Sequence, residues 1–158
     1  MESQQEPIKC YSDASFSPKH KIAVIGWKIE SNACCTQIIH DTTNTRAEFL
    51  AILDLINHLD NTNKYIIFTD CAGVINCLNK QEKLVGKNFK NKHGKNLSNG
   101  DLYKQLFDDL KNKYIVIKQL PGHMAVGLMN PDNVLFSHLD KTARKELRQY
   151  VSAIGNIV

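Results

Sequence analysis

Four carboxylates stand out by their surroundings: Asp13, Glu48, Asp70 and Asp140. Asp13 lies near the end of a β-like segment, and Asp70 follows the apolar run Tyr65 to Phe68 and Thr69. Were these two segments parallel neighbours, the two acids would sit side by side about 5 Å apart. That sheet edge is where open α/β proteins form their sites. Carboxylates held so close repel, so one keeps a proton or a cation sits between them. Glu48 shares a helical face with Ile52 and Leu55, where a solvated glutamate would not point. Asp140 falls on or beside the stripe Phe136, Leu139, Ala143, Leu147, Tyr150 and Ile154. Burying a lone carboxylate is costly unless it is paired or ligates a metal. Each acid also has an ordinary reading: an aspartate after a strand forms turns, and an acid early in a helix suits the macrodipole. Converged, the four make an oxygen-rich site suited to Mg²⁺ or Mn²⁺. Two such ions about 4 Å apart activate water and stabilise the leaving oxygen of a phosphodiester.

The elements that must position these acids follow from periodicity. Ile8 to Ser15, Ile22 to Ile29 and Ala33 to His40 read as strands of an antiparallel meander. Phe49, Ile52, Leu53 and Ile56 mark a helix that Asn44 or Thr45 can cap, broken by Asn57 to Asn63. Tyr65 to Phe68 reads as a central strand, and Val74, Ile75 and Leu78 as a short helix after it. The lysine-rich stretch that follows reads as irregular. Leu102, Leu106, Phe107 and Leu110 mark another helix, Tyr114 to Ile117 a strand, Pro121 to Pro131 a loop, and Phe136 to Ile154 a final helix. The order β-β-β-α-β-α-α-β-α predicts a mixed α/β sheet with helices on both faces.

Bulk properties set the class. The chain has 158 residues, 42% hydrophobic and 23% charged, as in ordinary globular proteins. No apolar run reaches the length of a membrane span. Met1 to Pro7 is expected to be a disordered lead-in to a single domain over 8–158. A cytoplasmic or otherwise intracellular monomer is expected, with no membrane partner. The five cysteines fit neither a disulfide framework nor a zinc pattern and read as reduced thiols, although Cys34 and Cys35 near His40 leave a soft-metal site conceivable. Net charge is +4, and Lys80, Lys83, Lys87, Lys90, Lys92 and Lys95 fall in one stretch opposed only by Glu82. Such a patch attracts polyanions, or is a solvated loop.

Five short motifs, in order, resemble type I ribonuclease H. They are Tyr11-Ser12-Asp13-Ala14-Ser15, then Thr42-Thr43-Asn44-Thr45-Arg46-Ala47-Glu48, then Phe68-Thr69-Asp70, Pro121-Gly122-His123 and Leu139-Asp140-Lys141-Thr142-Ala143-Arg144. The resemblance spans Ile8 to about Leu147. It implies a ribonuclease H-like five-stranded mixed sheet, a three-strand antiparallel meander plus two parallel strands, flanked by helices. It implies cleavage of the RNA strand of an RNA–DNA hybrid, leaving 5′-phosphate and 3′-hydroxyl ends. Asp13, Glu48, Asp70 and Asp140 would bind two Mg²⁺ ions, with Mn²⁺ as substitute, and His123 would assist proton transfer or product release. Ser15 lies in the first-strand motif and joins the substrate contacts. Asn44 matches a minor-groove contact, and Thr43 and Asn99 match a pocket for a DNA phosphate. Lys87, Lys90 and Lys92 lie in a stretch resembling the family's basic protrusion.

Three departures bear on that grip: Ala14 replaces a glycine, Asp41 stands where a basic contact is common, and Ala72 where a glutamine is common. They motivate an alternative, a catalytically weak nucleic-acid-binding module of the same fold. Another nuclease of the superfamily is the further alternative.

Overall fold

Residues 5–120 and 130–155 are described by the structure, a computed structural model. The meander forms as expected: β1 (Ile8–Ser17), β2 (Ile22–Ile29) and β3 (Cys35–Ile39) pair antiparallel. Helix α1 (Asn44–Asn57) leads to β4 (Lys64–Thr69), which joins the other side of β1 in parallel. Then come α2 (Ala72–Asn79), α3 (Gln81–Gly86), α4 (Gly100–Leu110), β5 (Tyr114–Gln119) and α5 (Pro131–Gly155). The sheet order is β3-β2-β1-β4-β5, with β4 and β5 parallel. This is the mixed sheet that the sequence pattern predicts. No helix among the described residues is long and apolar enough to cross a membrane.

Two elements depart from expectation. The lysine stretch is not wholly irregular, because α3 occupies its first part. Leu84 is the residue of α3 that packs against the core, too little periodicity to announce a helix. The chain then turns through Asn88 and Phe89 with φ of 52° and 57°, the left-handed region that bulky residues rarely adopt. Phe89 is held there by packing on the core and near Phe107, with ring centroids 6.0 Å apart. The last helix begins at Pro131 rather than Phe136. Asn130 and Asn133 cap it reciprocally: the Asn133 amide donates to Asn130 Oδ1 at 2.9 Å and the Asn130 amide to Asn133 Oδ1 at 3.4 Å. Proline suits the first helical position because its missing N–H is not needed there. Asp132 accepts a 2.7 Å bond from the buried Tyr11 hydroxyl, tying this turn to β1.

Helices cover both faces of β1 and β2. Small residues set one distance: Ala47 and Ala51 of α1 pack against Ala14 and Ala23, so α1 lies close on the sheet. Gly26 sets the other. A β-carbon there would meet Leu139 Cδ1 at 3.0 Å, so this mid-strand glycine lets α5 approach the sheet. Gly26 is also the register partner of Asp13.

Candidate active site

Asp13 stands in the middle of β1, 2% exposed. β1 and β4 are paired in parallel up to Tyr11 and Phe68, and that register carried two residues further sets Asp13 beside Asp70. The chain turns immediately after Asp70, where the Cys71 amide donates to the fully buried Thr69 hydroxyl at 3.1 Å. Glu48, 8% exposed, comes from the first turns of α1, and its carboxylate accepts a bond from the Ala14 backbone. These elements bring one oxygen each of Asp13, Glu48 and Asp70 within 4.8 Å of one another.

This arrangement is electrostatically unfavourable for the protein alone. Burial, reinforced by the charges of Glu48 and Asp70 and a side-chain hydrogen bond with Asp140, pushes the Asp13 carboxyl well above the usual carboxylate range. Burial and the Asp70 charge push Glu48 up too, against the Ala14 hydrogen bond. Asp13 Oδ2 and Glu48 Oε2 are buried without a hydrogen-bond partner among the described residues. Each such orphan costs roughly 1–3 kcal/mol. Hard oxygens, converging and unsatisfied, fit a hard divalent cation.

Asp140 sits at the margin of this cluster. Its side chain is 27% exposed and pairs with Arg144 at 3.2 Å, one helical turn on. It is also the hydrogen-bond partner of Asp13. It lies outside the three-oxygen constellation. Leu139 seated on Gly26 delivers it to Asp13. Gly26 is the positioning residue that the motif reading passed over, and its signal was a lone glycine inside a strand pattern.

The expected substrate contacts fall in two groups. Ser15 is half-buried on β1, two residues beyond Asp13. Thr43, not Asn44 or Thr45, caps α1: its hydroxyl accepts from the Arg46 amide at 3.2 Å, which leaves Asn44 exposed as the first helical residue. Asn99 is brought to the same place by Arg46. One guanidinium nitrogen donates to Asn99 Oδ1 at 3.3 Å and the other pairs with Asp101 at 2.9 Å. Arg46 thus joins the start of α1 to the start of α4. The pairing holds the Asp101 carboxyl below its ordinary range. Lys87, Lys90 and Lys92 are all exposed. Lys87 and Lys90 line a groove of about 600 Å³ with Lys80, Lys83, Asn99 and Tyr103. His123 lies outside the described residues.

The cysteines make no soft-metal cluster among the described residues. All five thiols are free. Cys34 lies 3.8 Å from His138, while His40 is bonded to the Tyr150 hydroxyl at 2.9 Å.

Comparison with known proteins bears on this geometry. The RNase H family model matches residues 5–147. A protein named Ribonuclease H from Caldicellulosiruptor saccharolyticus is 28% identical over 112 residues, covering 68% of this chain and 73% of that protein. Among solved structures, a foamy viral protease-reverse transcriptase in complex with dsDNA is similar with a TM-score of 0.63. It is 22% identical and covers 81% of this chain and 90% of its own, a likeness of fold.

Proposed function

The chain belongs to the RNase H family, and on that premise we propose that it is a divalent-metal-dependent endonuclease cutting the RNA strand of RNA–DNA hybrids to 5′-phosphate and 3′-hydroxyl ends. The observation that carries this reading is the convergence of Asp13, Glu48 and Asp70 with two buried, unsatisfied carboxylate oxygens. Asp13, Glu48, Asp70 and, from the margin, Asp140 would hold two Mg²⁺ ions, with Mn²⁺ able to replace them. Bound there, the ions supply the charge neutralisation and Lewis acidity that phosphodiester hydrolysis draws on.

The chain's own residues do the rest. The rigid strands and α1 fix the carboxylates before substrate arrives, so little reorganisation accompanies reaction. Asn44 and Ser15 face the hybrid near the acids. Thr43 and Asn99, held together through Arg46, receive a phosphate of the DNA strand. Lys87, Lys90 and Lys92 grip the duplex through its charge. His123 moves a proton or assists product release. The domain over 8–158 acts as a monomer.

The test is cleavage of labelled RNA–DNA hybrid, duplex DNA and duplex RNA with Mg²⁺ or Mn²⁺. Cutting is expected only in the RNA strand of the hybrid, and only with metal. Comparable cutting of duplex DNA would overturn the hybrid assignment. Binding of hybrid without any cutting would replace the enzyme with a binding module.

A further inference from the structure

Among the described residues, the helical layer on one face of the sheet is incomplete. α5 packs over β1 and β2. Beyond them, the register of β4 with β5 puts Lys64 beside Tyr114, Ile66 beside Val116 and Phe68 beside Lys118, all on the α5 face. Phe68 is buried, but Tyr114 is 63% exposed and Val116 is 54% exposed. β5 is also an outer strand. Among the described residues β4 is its only strand partner, so its far edge offers amides and carbonyls for pairing.

A groove of about 390 Å³ runs along this surface, and none of its lining residues is acidic. Lys113, at one end, is engaged: its ammonium donates to the Ile56 and Leu59 carbonyls at 2.7 Å each. Lys64 and Lys118 are exposed and form no ion pair among the described residues. They flank the apolar centre of Ile66, Val116 and Tyr114. Four residues of strand separate the two ends, about 13 Å.

We propose that this surface takes an extended, acidic–apolar segment of another protein as a sixth strand beside β5. Strand addition uses the backbone for affinity and alternate side chains for specificity. A segment patterned carboxylate–x–apolar–x–carboxylate sets its apolar side chain against Val116 and Tyr114 and its acids toward Lys118 and Lys64. A second copy of this chain fits less well, because it brings the same lysines against these. Nucleic acid also fits less well, since the centre of the patch is aliphatic and the free edge pairs with a peptide backbone. The surface runs along β4 from Lys64, six residues or about 20 Å from Asp70, to Phe68, two residues from it. Its apolar centre at Ile66 and Val116 lies about 13 Å from Asp70, so substitutions at Val116 and Lys64 test it apart from the acids.

The probe is a fluorescein-labelled, end-blocked peptide, Thr-Asp-Thr-Val-Thr-Asp-Thr, titrated by anisotropy with hydrogen exchange read over 114–119. Saturable binding with Kd below about 1 mM is expected, with slowed exchange in β5. Val116→Asp and, separately, Lys64→Glu should each weaken it about tenfold or more, with hybrid cleavage unchanged. Both sites are exposed, so folding survives, and circular dichroism checks it. Three outcomes overturn the proposal. One is no saturable binding, or binding that Val116→Asp leaves intact. The second is dimerisation in sedimentation that Val116→Asp abolishes, which assigns the edge to a second copy. The third is displacement of the peptide by a single-stranded oligonucleotide, which assigns it to nucleic acid.

Discussion

Where the middle of β1 meets the start of α1, Asp13 and Glu48 are almost fully buried against a close-packed core. Across α3 and the segment up to Asn99, every lysine is exposed, and Leu84 and Phe89 are the side chains packed on the core. Under the proposed function, the two regions meet the same polyanion by opposite means. The acidic centre must hold like charges within a few ångströms, against their repulsion, so its geometry is imposed by rigid elements. The basic region needs only charge near the phosphates, which long, solvated side chains supply without fixed positions. Stability is therefore sacrificed at the first and hardly at the second.

The largest effect expected is at the acidic centre. Asp70→Asn removes one carboxylate charge at nearly constant volume and should lower kcat by at least about 100-fold, the scale of losing one group in a preorganised site. Its circular dichroism should be unchanged. Full activity in that variant would detach Asp70 from the reaction.

The cost of that geometry is expected in the pH dependence of stability. In metal-free protein, Asp13 and Glu48 take up protons at higher pH than they do unfolded. The native state then binds more protons than the unfolded chain above the ordinary carboxylate range. Stability is full on the acid side and falls as pH rises through that window. Thermal melts in EDTA should show a loss of roughly 1–3 kcal/mol that saturating Mg²⁺ offsets. Asp13→Asn should flatten the slope, and a slope that persists in that variant would move the cause elsewhere.

Gly26→Ala tests whether α5 is set by close approach. Overpacking against Leu139 should cost about 1–3 kcal/mol, and, by displacing Asp140, reduce kcat more than KM rises. A loss of stability with kcat intact would make Gly26 a packing residue only. On the basic side, neutralising Lys87, Lys90 and Lys92 together should raise KM and leave kcat near its original value. The slope of log K against log salt should fall by roughly 0.7–0.9 for each phosphate that is no longer neutralised. An unchanged slope would return these lysines to plain solvation. The smallest effect is at the junction of the two regions. The Arg46–Asp101 pair is partly exposed, so Arg46→Lys should cost under about 1 kcal/mol in a denaturant titration. Its signature is a rise in KM, since Asn99 then loses the guanidinium that holds it, while Thr43 keeps the backbone amide of residue 46.

The sheet was legible in the sequence because its strands alternate or run apolar at the right lengths, and the acids were legible by type and setting. Thr43 shows the limit. An Asn or Thr can cap a helix at any of several adjacent positions, and only the geometry decides among them. α3 was illegible because its anchorage is tertiary, through Leu84 and the turn at Phe89. The early start of α5 is capped locally by Asn130 and Asn133, but its tie to β1 is a hydrogen bond between Tyr11 and Asp132, 121 residues apart.

What the sequence determined by itself is the order of elements apart from α3, the family motifs and the four candidate acids. These rest on local periodicity and residue chemistry, which need no distant partner. What only tertiary structure decided is which acids converge and how closely. Asp13, Glu48 and Asp70 meet because parallel pairing, small residues under α1 and a sharp turn after Thr69 bring three remote segments together. Asp140 stays at the margin because a helix packed on Gly26 sets its distance. Spacing along a chain carries no information about that distance, because it is set by how side chains from different elements fill shared volume.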